Sequence, residues 1–168
     1  MYIFPSTCEY RAMIELDSFD IGILRALQED ARLSNVALSA HVNLSPSQCS
    51  RRLARLEQSG AIAGYRVLLD QAALGLDVTA LVSVTLERHG ENPAAVFHKA
   101  ILELPEVLEC LLMTGDADYQ LRVVAPSLGD FSRFVLDRLM KLPGVASIRS
   151  AIVLEAVKPM GPLPVAHG

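Results

Sequence analysis

No stretch of this 168-residue chain approaches the roughly 20 consecutive apolar residues that a membrane-crossing helix requires. The opening residues, MYIFPSTCEYRAMIE, lack the basic start and continuous apolar run of a signal peptide, so cytoplasmic residence is expected. Cysteine is scarce: Cys8, Cys49 and Cys110 are odd in number, far apart and without a CxxC spacing. Histidines 41, 89, 98 and 167 are equally scattered. A disulfide framework and a zinc site are both unsupported, and no metal or cofactor is expected. No Ser-His-Asp, P-loop or GxGxxG pattern occurs, so an enzyme is not expected either.

A positive net charge is also missing. The formal balance is −4, with 51% hydrophobic and 20% charged residues, a globular composition rather than a disordered one. The distribution matters more than the sum, because a nucleic acid responds to local potential. Residues 45–66 carry Arg51, Arg52, Arg55 and Arg66 against the single acid Glu57, whereas from residue 71 onward acids outnumber bases. The positive charge is concentrated in one short stretch.

Residues 1–15 show no period and are expected as a loose arm, with Met13 a possible alternative start. From Asp17 the spacing turns helical: Leu16, Phe19, Ile23, Leu24 and Leu27 share one side, and Asp20, Arg25, Gln28 and Glu29 the other. Ser34 reads as the N-cap of a short second helix that turns Val36, Leu38 and Val42 inward and leaves Asn35, Ser39 and His41 wet. Ser45-Pro46-Ser47-Gln48 is a capping box with proline at the first helical position, so the start of a third helix is sharply set. Cys49, Leu53 and Leu56 form its apolar stripe, Gln48, Arg51, Arg52, Arg55 and Gln58 its opposite side, and Gly60 its stop. Residues 61–69 read as a short strand or hairpin leaving the bundle. Three short helices of this kind make a helix-turn-helix, and the extension makes it a winged variant.

After a bridge over residues 71–76 the period changes to two, with Val78, Ala80, Val82, Val84 and Leu86 alternating with Thr79, Leu81, Ser83 and Thr85. A helix over 93–104 follows, then strands over 107–113 and 119–125 around the turn 114–118. A helix capped by Ser127 carries Leu128, Phe131, Val135, Leu139 and Leu142 inward, and a last strand spans 145–157. Both helices run into the same exit, Leu104-Pro105-Glu106-Val107 and Leu142-Pro143-Gly144-Val145. The order β-α-β-β-α-β predicts a ferredoxin-like sandwich, giving an α+β chain divided into an arm (1–15), a helix-turn-helix (16–62), a hinge (63–76), a second domain (77–158) and a tail (159–168). The sheet face without helices is expected to be rich in Val, Leu and Ile and to pair with a second copy.

An N-terminal helix turn in the major groove places residues 45–48 near base edges. On that geometry Ser45, Ser47, Gln48, Arg51 and Arg52 are assigned to base-edge or mixed contacts with double-stranded DNA, and Arg55 to phosphate. Cys49 belongs to the core. In the turn 114–119, Gly115 permits positive φ, while Asp116 and Asp118 offer acceptors for a ligand ammonium beside backbone amides that could hold a carboxylate. Glycine and aspartate are equally the residues of a plain hairpin turn, and both readings stay open on composition. Paired carboxylates could also hold a metal or do acid–base chemistry, but no histidine or third acid stands at matching spacing.

The segments LSPSQCSRRLARLEQSGAIAGYRVLLD, LLMTGDADYQLRVV and LPGVASIRSAIVLEAVK resemble the Lrp/AsnC family, the leucine- and asparagine-responsive regulators, in one order from about Leu16 to Lys158. The resemblance implies a transcription regulator dimerising through its effector-domain sheets, often assembled into octamers, with an amino-acid effector bound between subunits. It favours an effector site made of Met113, Gly115, Asp116, Asp118 and Tyr119, faced by Ile148 and Ser150, where the family often has threonines. The rival readings are an amino-acid-binding interaction module that does not bind DNA, and an amino-acid enzyme or its regulatory subunit.

Overall fold

The computed structural model of the protein describes residues 14–87 and 92–165; the expected arm and Met13 lie, through residue 13, outside them. The chain divides into two compact units, Met1–Val67 with Lys158–Gly168, and Leu68–Val157. The tail thus belongs with the first unit rather than standing apart.

In the first unit α1 (Ser18–Glu29), α2 (Asn35–Val42) and α3 (Pro46–Gln58) pack around Ile23, Ala26, Leu38, Val42, Cys49 and Leu56. Each start is capped by its own sequence. Asp17 and Asp20 form a capping box on α1, Ser34 accepts from the Ala37 N–H on α2, and Ser45 and Gln48 close the box on α3 with Pro46 at its first turn. Asn43 ends α2 in the left-handed region at φ 54°, and Gly60, at φ 75°, follows the end of α3. Full burial of residues such as Leu38 and Leu56 stabilises the bundle by roughly 1.5–3 kcal/mol each.

Several orientations differ from the sequence expectation. Asp20, expected on the wet side of α1, is completely buried, and Ile21 beside it is 1% exposed. Val36, expected inward, is exposed, whereas Ser39 is buried because its hydroxyl donates to the Val36 carbonyl at 2.8 Å. Residues 61–69, expected as a strand or hairpin, belong to no helix or strand among the described residues.

The second unit holds β1 (Val78–Leu86), α4 (Pro93–Ile101), β2 (Val107–Leu112), β3 (Tyr119–Ala125), α5 (Leu128–Asp137) and β4 (Val145–Ile152), after a 3₁₀ turn at Ala72–Leu74. The antiparallel sheet runs β2-β3-β1-β4, the order of a ferredoxin-like sandwich. The two Leu-Pro-x-Val exits form the same turn: the Val107 N–H donates to the Leu104 carbonyl at 3.1 Å and the Val145 N–H to the Leu142 carbonyl at 3.3 Å. β4 stops at Ile152, short of the expected 157, and Leu128 is exposed rather than inward.

The sheet expectation needs the larger correction. Val78, Ala80, Val82, Val84 and Leu86 of β1 lie with Leu121 and Val123 of β3 in the core, together with Phe97, Ile101, Phe131 and Phe134 from the helices. The opposite face of β1 carries Thr79, Leu81, Ser83 and Thr85, paired with Val124, Arg122 and Gln120 on β3. The apolar set is therefore already spent on the helices, and the open face is mixed. There the Ser83 hydroxyl donates to Gln120 at 3.1 Å, and Arg122 stands 3.8 Å from Glu109.

Candidate nucleic-acid interface and effector site

The capping box places Ser45, Ser47 and Gln48 at the exposed mouth of α3. Their local bonds fix the geometry. The Gln48 N–H donates to Ser45 Oγ at 3.3 Å, the Ser45 N–H to Gln48 Oε1 at 3.1 Å, and Ser45 Oγ lies 3.2 Å from Ser47 Oγ. The Gln48 Nε2 amine takes no part in the box, so its donors stay available at the helix start. Arg51, one turn on, is exposed and makes no ion pair among the described residues.

Arg52 and Arg55 are both engaged by acids of the α1 start. Arg52 Nη1 donates to Asp17 Oδ2 at 2.7 Å and to Asp20 Oδ1 at 2.9 Å, and its guanidinium lies 5.2 Å from the centre of the Phe19 ring. Arg55 donates to the other Asp20 oxygen. The buried Asp20 carboxylate thus holds two arginines of α3 against the start of α1, and also accepts from the Asp17 N–H at 3.2 Å. Removing a charge from water is tolerable only with this degree of pairing. The hydrogen bond that Arg52 donates to Asp17, then the one it donates to Asp20, holds Arg52 above its already high pKa, and the Asp20 backbone N–H and then Arg52 draw Asp17 below the ordinary carboxylate range. Arg52 is consequently a strut of the domain. Arg55 keeps half of its side chain exposed and can strut and still face a phosphate.

Asp17 and Asp20 are the residues that sequence reasoning missed. The available signal was a matched pair of spacings: acids at 17 and 20 on one helix, arginines at 52 and 55 on another. Glu57 is engaged as well, accepting at 2.8 Å from the Tyr65 hydroxyl, whose pKa is pushed up to about 12 by burial and by that carboxylate.

In the second unit the turn 113–118 is exposed apart from half-buried Ala117, and Gly115 sits at φ 128° with open space where a Cβ would stand. Asp116 is exposed. Asp118 is a pin: its carboxylate accepts from the Leu86 N–H at 2.7 Å, its own N–H donates to the Val84 carbonyl at 3.0 Å, and its carbonyl accepts from the Met113 N–H at 2.8 Å. Tyr119 is a core residue, 3% exposed, with its ring 4.7 Å from that of Phe97 and its hydroxyl 2.8 Å from His98 Nε2. On β4, Ile148 pairs with Val84 and packs on the core, while Ser150 pairs with Val82 and is exposed.

Tyr119 and Ile148 therefore flank Val84 from opposite sides of β1. One chain does not gather the expected effector residues into a pocket. Two clefts, of about 360 and 390 Å³, are lined by Glu106, Asp130, Arg133 and Arg138 in one case and by Arg25, Gln28, Leu163 and Val165 in the other, and contain none of them. Among the described residues the two thiols are poor nucleophiles: burial raises both Cys49 and Cys110, the latter to about 11. Among the described residues no cluster of three metal-ligating side chains occurs, and no helix is long and apolar enough to cross a membrane.

Comparison with known proteins bears on both units. The family profile described as winged helix-turn-helix DNA-binding matches residues 16–63, and that described as Lrp/AsnC ligand binding domain matches residues 79–163. The Bkd operon transcriptional regulator of Pseudomonas aeruginosa is 43% identical over 145 residues, covering 86% of this chain and 95% of that protein. The leucine-responsive regulatory protein of Escherichia coli K12 is 40% identical, covering 86% and 88%. A transcriptional regulator from Neisseria meningitidis, solved as its L-methionine complex, superposes with a TM-score of 0.87 at 39% identity, covering 90% of this chain and 98% of that one. With a capped recognition helix in one unit and a ferredoxin-like ligand-binding fold in the other, the chain belongs to the Lrp/AsnC family of DNA-binding, effector-modulated transcription regulators.

Proposed function

We propose that the chain reads DNA with the N-terminal turn of α3 and senses an α-amino acid at a site completed by a second copy. The observation that carries the DNA half is the contrast along α3. Ser47, Gln48 and Arg51 stand exposed, while Asp17 and Asp20 hold Arg52 and set the tilt of the helix. Ser45, Ser47, Gln48 and Arg51 supply base-edge or mixed contacts, Arg55 a phosphate contact, and Arg52 rigidity. Two-fold pairing of chains makes the operator roughly palindromic.

The effector half rests on separation. Gly115 and Asp116 on the turn and Ser150 on β4 are exposed but apart, so a ligand touching both sets has to lie between copies. Asp116 matches a ligand ammonium and the turn's amides a carboxylate, whereas Asp118, Tyr119 and Ile148 shape the wall. The related regulator solved with L-methionine makes an amino acid the natural class. Dimers through the open sheet face, and octamers built from them, complete the reading, which makes the chain a cytoplasmic regulator without a catalytic step.

The test is DNA affinity on the gene's own upstream sequence, titrated against salt, for wild type and Arg51→Ala, with and without millimolar amino acids. Wild type should lose affinity steeply with salt, and Arg51→Ala should flatten that slope by about one unit per contacting arginine. Light scattering on the same samples should register a change of assembly with the right amino acid. No binding to any DNA at low salt would sink the reading in favour of an interaction module.

A further inference from the structure

The described tail carries prolines at 159, 162 and 164. Proline has no N–H and fixes φ, so between Pro162 and Pro164 only Leu163 offers both a backbone donor and an acceptor, on a segment already biased to be extended. The α1 surface meets that pair with one side chain. The Leu163 N–H donates to Gln28 Oε1 at 2.6 Å, and Gln28 Nε2 donates back to the Leu163 carbonyl at 3.2 Å. One turn earlier, Arg25 donates to the Val165 carbonyl through Nη2 at 2.8 Å and Nε at 3.3 Å. Four hydrogen bonds thus run from two residues of one helix edge to alternate residues of the tail, a spacing suited to an extended strand.

We propose that the Arg25–Gln28 edge of α1 is a docking face for a proline-flanked extended segment, and that its occupant is residues 162–165 of the same chain. The side chains involved are exposed and the Leu163 side chain is mostly in solvent, so recognition is by backbone, with Pro162 and Pro164 supplying preorganisation. Tethering makes such a contact possible at low intrinsic strength, because the effective concentration of a tethered segment reaches the millimolar range. The chain passes between the two units at Val67–Leu68 and again at Val157–Lys158, and the docked tail returns to the unit that holds α1.

Hydrogen exchange at the Leu163 amide in the full-length protein reads the contact directly. Exchange should be about five- to tenfold slower than in a free peptide of the tail sequence, the protection one exposed hydrogen bond confers. Gln28→Ala should return it to the free rate. Gln28→Glu keeps the acceptor for the Leu163 N–H while setting a carboxylate against the Leu163 carbonyl, and should give an intermediate rate. Amides of α1 read in the same experiment report whether the variants fold. A Leu163 amide that exchanges at the free rate in wild type, or identically in all three proteins, overturns the proposal. Protection that vanishes on dilution to the monomer assigns the face to the tail of a second copy and overturns the same-chain assignment.

Discussion

Asp17 does two jobs at one position, capping α1 and holding Arg52. Its carboxyl is drawn below the ordinary range, first by the Asp20 N–H and then by Arg52, so it ionises at lower pH in the folded chain than in the unfolded one. The stabilisation it brings is therefore complete above the unfolded pKa, near 4, and is lost as pH falls through the lower folded value. Asparagine at 17 keeps a good cap acceptor and removes the ionisation. Thermal melts taken from neutral pH down to about pH 2.5 should fall more steeply for wild type than for Asp17→Asn; parallel curves would exclude this account. Asp20 shows the limit of periodicity at this scale. Helical spacing places a charged residue on the wet side, and its reason to turn inward lies in Arg52 and Arg55, more than thirty residues along the chain. Capping is local and was legible: Ser34, Ser45, Gln48 and Ser127 all cap as expected.

Among elements, α1 approaches α2 closely at Gly22. A Cβ added at Gly22 would stand 2.9 Å from Val42 Cγ1, and Val42 is a buried, β-branched residue with little rotamer freedom. Gly22→Ala should destabilise the DNA-reading unit by about 1–3 kcal/mol despite the helix propensity it gains. Adding Val42→Ala should cost less than the two single changes together, because the clash disappears. Strict additivity in urea melts would mean that the helices had shifted instead. The strands taught a related lesson. Alternation located β1 and β3 to within a residue, but it cannot say which face the helices take, and Thr79, Leu81, Ser83 and Thr85 proved to be the open side. Edges were less legible, since β4 stops at Ile152 where its apolar pattern runs on.

At the scale of the whole molecule the described residues form two separate cores, one around Leu38 and Leu56 and one around Val82, Leu121 and Phe97. Leu38→Ala leaves a cavity in the first and should cost about 2–5 kcal/mol there. Hydrogen exchange should then accelerate in α1–α3 while the amides of β3 keep their protection; loss of protection in β3 as well would show that the two units unfold as one. The division of labour between the units was readable from the change of period after residue 76, whereas the periodicity of one chain carries no information on a ligand site that, in the reading proposed here, a second copy completes. The sheet order carries one more consequence, for the route by which the protein acquires its fold. Both neighbours of β1 arrive late, β3 about 40 residues later and β4 about 60–70. The helices of the DNA-reading unit find most of their partners nearby in the chain, so that bundle can close quickly while the central strand waits, and sealing of the sheet sets the pace of folding.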